Sequence, residues 1–256
     1  SSRYLEILAS VRAELPDLRH TILLDDVAEP GMLRWSDIVA DDVSRARLAD
    51  IETQLSFDDP ANIQFTSGTT GAPKGATLTH HNIVNNGFFI GEAMRLTEAD
   101  RLCIPVPFYH CFGMVLGNLA CVTHGACMVI PGEGFDALAT LQTVAEERCT
   151  GLHGVPTMFI AELDLPDFGD YDLSSLRTGP MAGPPCPVEV MKKVVSAIHM
   201  AEVSICYGMT ETSPVSTQPS PPAPFAPPVR PLLRVPPHRH VPAVDPAPRP
   251  TLPPPP

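Results

Sequence analysis

Residues 66–75 read TSGTTGAPKG, Thr66 to Gly75, and directly follow the apolar run Ile63-Gln64-Phe65. Three glycines, Gly68, Gly71 and Gly75, let the backbone turn so that successive N–H groups converge on an anion. The hydroxyls of Thr66, Ser67, Thr69 and Thr70 add donors, and Lys74 adds a point charge. That is phosphate-binding chemistry. The string is not a GxxxxGK[ST] loop, because Pro73 and Ala76 stand five residues beyond Gly68 and Gly71. Taken without its surroundings it also reads as a plain Gly/Ser/Thr surface turn. With a β-like run before it and a helical pattern over His80–Met94 after it, a strand-loop-helix unit is expected.

Working outward, short β-rich runs at Thr21–Leu24, Asn62–Thr66, Leu102–Val106, Cys127–Ile130 and Val203–Cys206 alternate with longer segments of helical period. That alternation predicts an α/β fold of parallel-rich sheets flanked by helices. The clearest helix is Pro187–His199, with Pro187 in the first turn and Val188, Met191, Val194, Val195 and Ile198 on one stripe. Asp136–Arg148 and Arg3–Leu15 read as two more. Cys111–Ile130 carries no formal charge and is long enough to span a bilayer. Its Asn118, His124 and three glycines instead predict a helix, a His124-Gly125 turn and a strand, so no integral membrane segment is expected.

The net charge of −12 hides an asymmetry. Pro219–Pro256 hold 17 of the 31 prolines, four Arg and one acidic residue; without that +3, residues 1–218 stand at −15. Such a balance repels polyphosphate backbones at long range and argues against nucleic acid as a partner. A phosphate ligand would have to be held by local donors. The seven cysteines form no CxxC pair, which predicts reduced thiols, and the chain opens on no charged n-region with an apolar h-region, so a cytoplasmic setting is expected. The histidines, including His80 and His81, show no metal-ligand spacing with cysteines or carboxylates, and no Ser-His-Asp arrangement is evident. The domain expectation is therefore a folded segment over 1–218 and a Pro-rich tail over 219–256, extended, solvated and disordered, excluded from helix and central strand.

Three further strings follow the loop: PFYHCFG (Pro107–Gly113), MAGPPCP (Met181–Pro187) and YGMTET (Tyr207–Thr212). His110 taken alone reads as a core or loop histidine, MAGPPCP as a helix-initiating turn, and TET as solvated surface. Pro180 and Pro184 are unusual beside the second string and predict a perturbed neighbouring strand. YGMTET follows the β-like run Val203–Cys206, so its residues would emerge at the carboxyl end of a strand, where open α/β sheets bind ligands.

In this order, the four strings resemble those of the adenylate-forming (AMP-binding) superfamily, which includes acyl-CoA synthetases, luciferases and peptide-synthetase adenylation domains. The resemblance runs from about residue 1 to Gln218. Its texture, including GVPTMF (Gly154–Phe159), is most similar to medium-chain fatty acyl-CoA synthetases. It implies that Thr66, Ser67, Gly68, Thr69, Thr70, Gly71 and Lys74 cradle the phosphates of ATP. It implies that Ala182 and Gly183 lie along the adenine, that Tyr207 stacks on it beside Gly208, that Thr210 contacts the α-phosphate, and that Glu211 holds Mg²⁺. His110 would lie near the carboxylate, so Lys74, His110, Thr210 and Glu211 are the catalytic candidates. The implied substrates are a fatty acid, ATP and CoA, with no specific protein partner.

Beyond Gln218 the segments that complete such an enzyme, including a small C-terminal domain with a catalytic lysine, are not found, and Ser1–Asp26 resembles the middle of the large domain. The chain is thus expected to be an internal fragment, inactive or only nucleotide-binding, with a tail that reads as an aberrant, frame-shifted translation of GC-rich DNA. Two other functions fit the same residues: adenylation of an aryl or amino acid, and a non-catalytic nucleotide-binding or interaction role.

Overall fold

The computed structural model describes residues 3–24, 29–39, 45–67, 71–219 and, for the backbone, 233–234. The chain divides into two units, residues 1–55 and 56–256. The first holds α1 (Tyr4–Val11), the parallel pair β1 (Ile22–Leu23) and β2 (Leu33–Arg34), α2 (Trp35–Val39) and α3 (Arg45–Glu52). None of its described residues is buried, and Tyr4, Trp35 and Leu48 are exposed.

The second unit begins with an antiparallel hairpin of β3 (Pro60–Thr66) and β4 (Lys74–Thr79), with Thr66 opposite Lys74. This corrects the expected strand-loop-helix unit, because a strand stands between loop and helix. Its residues KGATLT alternate Ala76 and Leu78, both buried, with Gly75 and Thr77, a half-buried strand pattern that is short enough to miss. Thr79 ends the strand and caps α4 (His80–Met94), its Oγ1 accepting from the Asn82 amide at 3.2 Å. α4 packs closely on the segment Phe112–Leu119, a π-helix that continues into α5 (Ala120–His124). A Cβ at Gly87 would stand 2.7 Å from Leu119 Cβ, so only glycine permits that approach.

The main sheet runs β11-β10-β9-β8-β7-β5-β6. Its parallel part comprises β5 (Arg101–Cys103), β6 (Cys127–Val129), β7 (Gly151–Leu152), β8 (Thr178–Ala182) and β9 (Glu202–Gly208). β10 (Val215–Gln218) and β11 (Leu233–Arg234) add antiparallel edges. Helices α6 (Ala137–Glu146), α7 (Pro156–Leu163) and α8 (Val188–Ala197) belong to the same unit. The fold is therefore α/β with a parallel-rich sheet and helices, as expected. The turn after α5 is a left-handed Gly125, also as expected from the Cys111–Ile130 pattern. No helix among the described residues is long and apolar enough to cross a membrane.

Two expectations are modified. β5 ends at Cys103 and not at Val106, because Pro105 and Pro107 withdraw ladder donors. In the 219–256 tail, Leu233–Arg234 pair with Gln218 and Thr217 at the sheet edge; the other tail residues after Pro219 lie outside the described residues. The perturbation expected at Pro180 lies on one side only. β8 pairs with β9 without a break from Thr178 to Ala182, whereas contact with β7 stops after Gly151–Thr178 and resumes as an isolated bridge, Gly154–Met181.

The amino end of the sheet is knit by Arg177. Its guanidinium donates to the carbonyls of Met94 (3.0 Å) and Arg95 (2.9 Å), to Glu202 (2.9 Å) and to Asp100 (2.8 Å). Burial alone would raise the Asp100 carboxyl, but hydrogen bonds from Thr150, Arg177 and Thr97 outweigh it and hold the group below its ordinary value. Arg177→Ala should lower stability by about 2 kcal/mol, read as a lower urea midpoint at unchanged slope. A depressed carboxylate stabilises above its unfolded value and loses that contribution as pH falls, so Asp100→Asn should flatten the acid limb below about pH 4.

Glu162 presents the opposite case. It is buried in α7 with no hydrogen-bond partner on either carboxylate oxygen, and burial pushes it up to about 8. The folded state therefore favours the protonated acid, and ionisation costs stability progressively from about pH 4.3 up to that value. Glu162→Gln is expected to raise the urea midpoint at pH 7.5 and to change it little at pH 4.5.

Candidate nucleotide site

A cleft of about 430 Å³ opens at the carboxyl ends of β8 and β9. Thr66 and Ser67 bring the end of β3 to it, Ala182 and Gly183 the end of β8, and Tyr207 and Gly208 the end of β9. Past β9 the chain makes a single 3₁₀ turn, Thr210–Thr212, which adds Thr210 and Glu211. Thr212 secures that turn: its Oγ1 accepts from the Met209 amide at 3.1 Å and donates back to the Pro214 carbonyl at 2.6 Å. Gly208 is required by the same return of the chain, since a Cβ there would collide with the Pro214 carbonyl.

β10 is held by a buried amide. Asn86 of α4 donates from Nδ2 to the Val215 carbonyl at 2.9 Å and accepts from the Val215 amide at 3.2 Å. Across the mouth, Thr66 Oγ1 lies 3.5 Å from Glu211 Oε1, joining residues 145 positions apart. The loop strand and the post-β9 turn are thus in contact.

His110 reaches the cleft from the Pro107–Gly113 segment. Its Nδ1 accepts from the Phe112 amide at 3.0 Å, which assigns the neutral-ring proton to Nε2. Behind it, Phe112 stacks on His153, ring centroids 5.5 Å apart. His153 is fully buried without hydrogen-bond partners, and burial pulls it down to about 3, so it backs the site as a neutral ring.

Of the residues proposed from sequence, Thr66, Ser67, His110, Ala182, Gly183, Tyr207, Gly208, Thr210 and Glu211 therefore share one cleft. Lys74 is exposed at the start of β4, opposite Thr66, and Gly71 is exposed with φ +90°; neither lines it. Gly68, Thr69 and Thr70 lie outside the described residues. Cys111, Phe112, Leu116 and Val215 line the cleft without having been singled out. Leu116 could have been found from its i,i+4 spacing from Phe112, whereas Val215 carries no signal in sequence.

The architecture defines an α/β protein whose candidate ligand cleft sits at the carboxyl edge of a parallel sheet, ringed by hydroxyls, small residues and one carboxylate. Residues 2–246 match the family described as AMP-binding enzyme, and the chain belongs to that family. The match continues beyond Gln218. Bacillus subtilis YngI, an acyl-CoA synthetase by name, is 55% identical over 205 residues, covering 79% of this chain and 37% of that protein. The mitochondrial medium-chain acyl-CoA ligase ACSF2 of Danio rerio is 46% identical over 208 residues, covering 80% of this chain and 34% of the ligase. The chain thus spans about a third of the length of these relatives. Among solved structures, the anthranilate CoA ligase AuaEII in complex with anthranoyl-AMP shares the fold, at TM-score 0.74 and 24% identity, covering 90% of this chain and 43% of that one.

Gly208→Ala should displace the Pro214 carbonyl and loosen the β9–β10 return, with a stability loss of about 1–3 kcal/mol. Thermal unfolding of that variant beside Gly169→Ala, whose added Cβ meets nothing within 4 Å and whose φ is not positive, checks it.

Proposed function

We propose that residues 60–218 bind ATP as the nucleotide-gripping part of an acid–thiol ligase that activates a fatty acid as acyl-AMP and passes it to CoA. The observation that carries this reading is the Thr66–Glu211 contact, which joins the end of β3, ahead of the Gly/Ser/Thr loop, to the Tyr207–Glu211 segment at one cleft. Sequence supports the acyl class, since the relatives that match over four-fifths of the chain are acyl-CoA synthetases and ligases by name.

In that role the exposed ring of Tyr207 offers a face for adenine, with Ala182 and Gly183 small enough for the flat base to approach. Thr66 and Ser67, with the loop amides, donate to the phosphates, and Lys74, exposed opposite Thr66, adds a cation for them. Thr210 donates to the α-phosphate and holds it in line for attack by the fatty-acid carboxylate. His110, with its proton on Nε2, donates toward that carboxylate. The Pα–O bond to pyrophosphate breaks as the acyl–phosphate bond forms, and the CoA thiol then displaces AMP from the acyl carbon. Glu211 fits Mg²⁺ as an exposed hard oxygen ligand beside the Thr66 hydroxyl, and a cation held there would offset phosphate charge. No group of three or more His, Cys, Asp or Glu among the described residues forms a closed metal cage, in keeping with a cation that takes its remaining ligands from phosphate and water.

The 256-residue chain is proposed to bind nucleotide and to turn over negligibly. Calorimetry with ATP·Mg²⁺ should show binding by the wild type, weakened by Tyr207→Ala by about 1–3 kcal/mol, the usual worth of a base–aromatic stack. Absence of nucleotide heat from the folded wild type overturns the reading. Pyrophosphate release at about 1 s⁻¹ or faster with a medium-chain fatty acid, lost in Lys74→Ala, overturns the negligible-turnover part alone.

A further inference from the structure

Cys111 stands at the start of the π-helix, 2% exposed, and lines the cleft between His110 and Thr210. Its Sγ lies 3.7 Å from Thr210 Oγ1 and 3.8 Å from His110 Nδ1. A thiol has one proton to give, so only one of these contacts takes it. The Nδ1 lone pair of His110 is already occupied by the Phe112 amide at 3.0 Å, which leaves the threonine oxygen as the open acceptor. The contact permits either direction, but Thr210 donating to sulfur would leave the buried thiol proton without an acceptor.

We propose that Cys111 is a positioning residue: its thiol donates to Thr210 Oγ1 and thereby turns the threonine's own hydroxyl proton into the cleft. A hydroxyl that already accepts one hydrogen bond is held as a donor. That is the polarity an anionic oxygen in the cleft requires, and a freely rotating hydroxyl would have to be ordered on binding. Burial raises the Cys111 thiol above its ordinary range, so it retains the proton at neutral pH. The role assigned to Thr210 rests on the nucleotide reading above, whereas the thiol–hydroxyl contact does not.

Two measurements separate contact from role. The infrared S–H stretching band of Cys111, isolated as wild type minus Cys111→Ala, should lie at lower frequency than that of a free thiol and shift upward in Thr210→Val. That step needs no ligand, and the Thr210→Val spectrum retains Cys111 even if removing the sulfur weakens the fold. In ATP·Mg²⁺ titrations, Cys111→Ala should weaken binding on the order of threefold to tenfold, the worth of one hydrogen bond. Cys111→Ser should restore most of it, because its hydroxyl also donates. The double variant should bind no worse than Thr210→Val alone, since Cys111 acts through Thr210. Additive losses, no rescue by serine, or a band unmoved by Thr210→Val overturns the proposal. A shifted band with no nucleotide binding by the wild type overturns the nucleotide reading and the positioning role together, and leaves the contact standing.

Discussion

The paired hydrogen bonds between the Asn86 side chain and the Val215 backbone are the constraint on which the cleft depends. α4 follows the hairpin without a break, so the Thr79 cap, the loop between β3 and β4, and Asn86 are set by one continuous segment. By gripping Val215, that segment fixes where β10 starts, and hence where the Thr210–Thr212 turn sits above β9. The Thr66–Glu211 contact closes the circuit. A buried amide with both of its polar atoms paired is stabilising where a half-paired one would be costly, so the arrangement tolerates little displacement.

The two ends of the parallel strands solve the problem of buried charge differently. At the amino end Arg177, Asp100, Glu202 and Thr150 satisfy one another and two carbonyls of the α4 terminus, an arrangement that fixes strand register and does nothing toward ligands. Behind the carboxyl end, His153 is buried without a partner and kept neutral by burial, as Glu162 is within α7. Neutral groups there leave the field in the cleft to the residues that line it.

Much of this was legible in the chain. Long periodic segments such as Val188–Ala197 declare themselves because their stripe repeats over several turns, and the order of four short strings carried the family. β4 was not legible, because six residues with a lysine and a glycine at their start look like the end of a loop until Ala76 and Leu78 are seen to be buried. β7 is only two residues long, and its ladder with β8 breaks near Pro180, so neither pattern nor length marks it. The Asn86–Val215 pair and the Cys111–Thr210 contact span 129 and 99 positions and belong to tertiary structure alone.

The charge balance bears on how such a cleft can work. With residues 1–218 at −15, the long-range field opposes a polyphosphate, and salt screens that field beyond about 8–10 Å. Binding must then be decided within a few ångströms, where oriented amides and hydroxyls act at short distance and lose little to reorganisation. Glu211 beside Thr66 sharpens the point, because a bare carboxylate there repels phosphate while a carboxylate carrying a divalent cation attracts it. On the proposed reading, a site of this polarity would favour nucleotide that arrives already complexed with its metal.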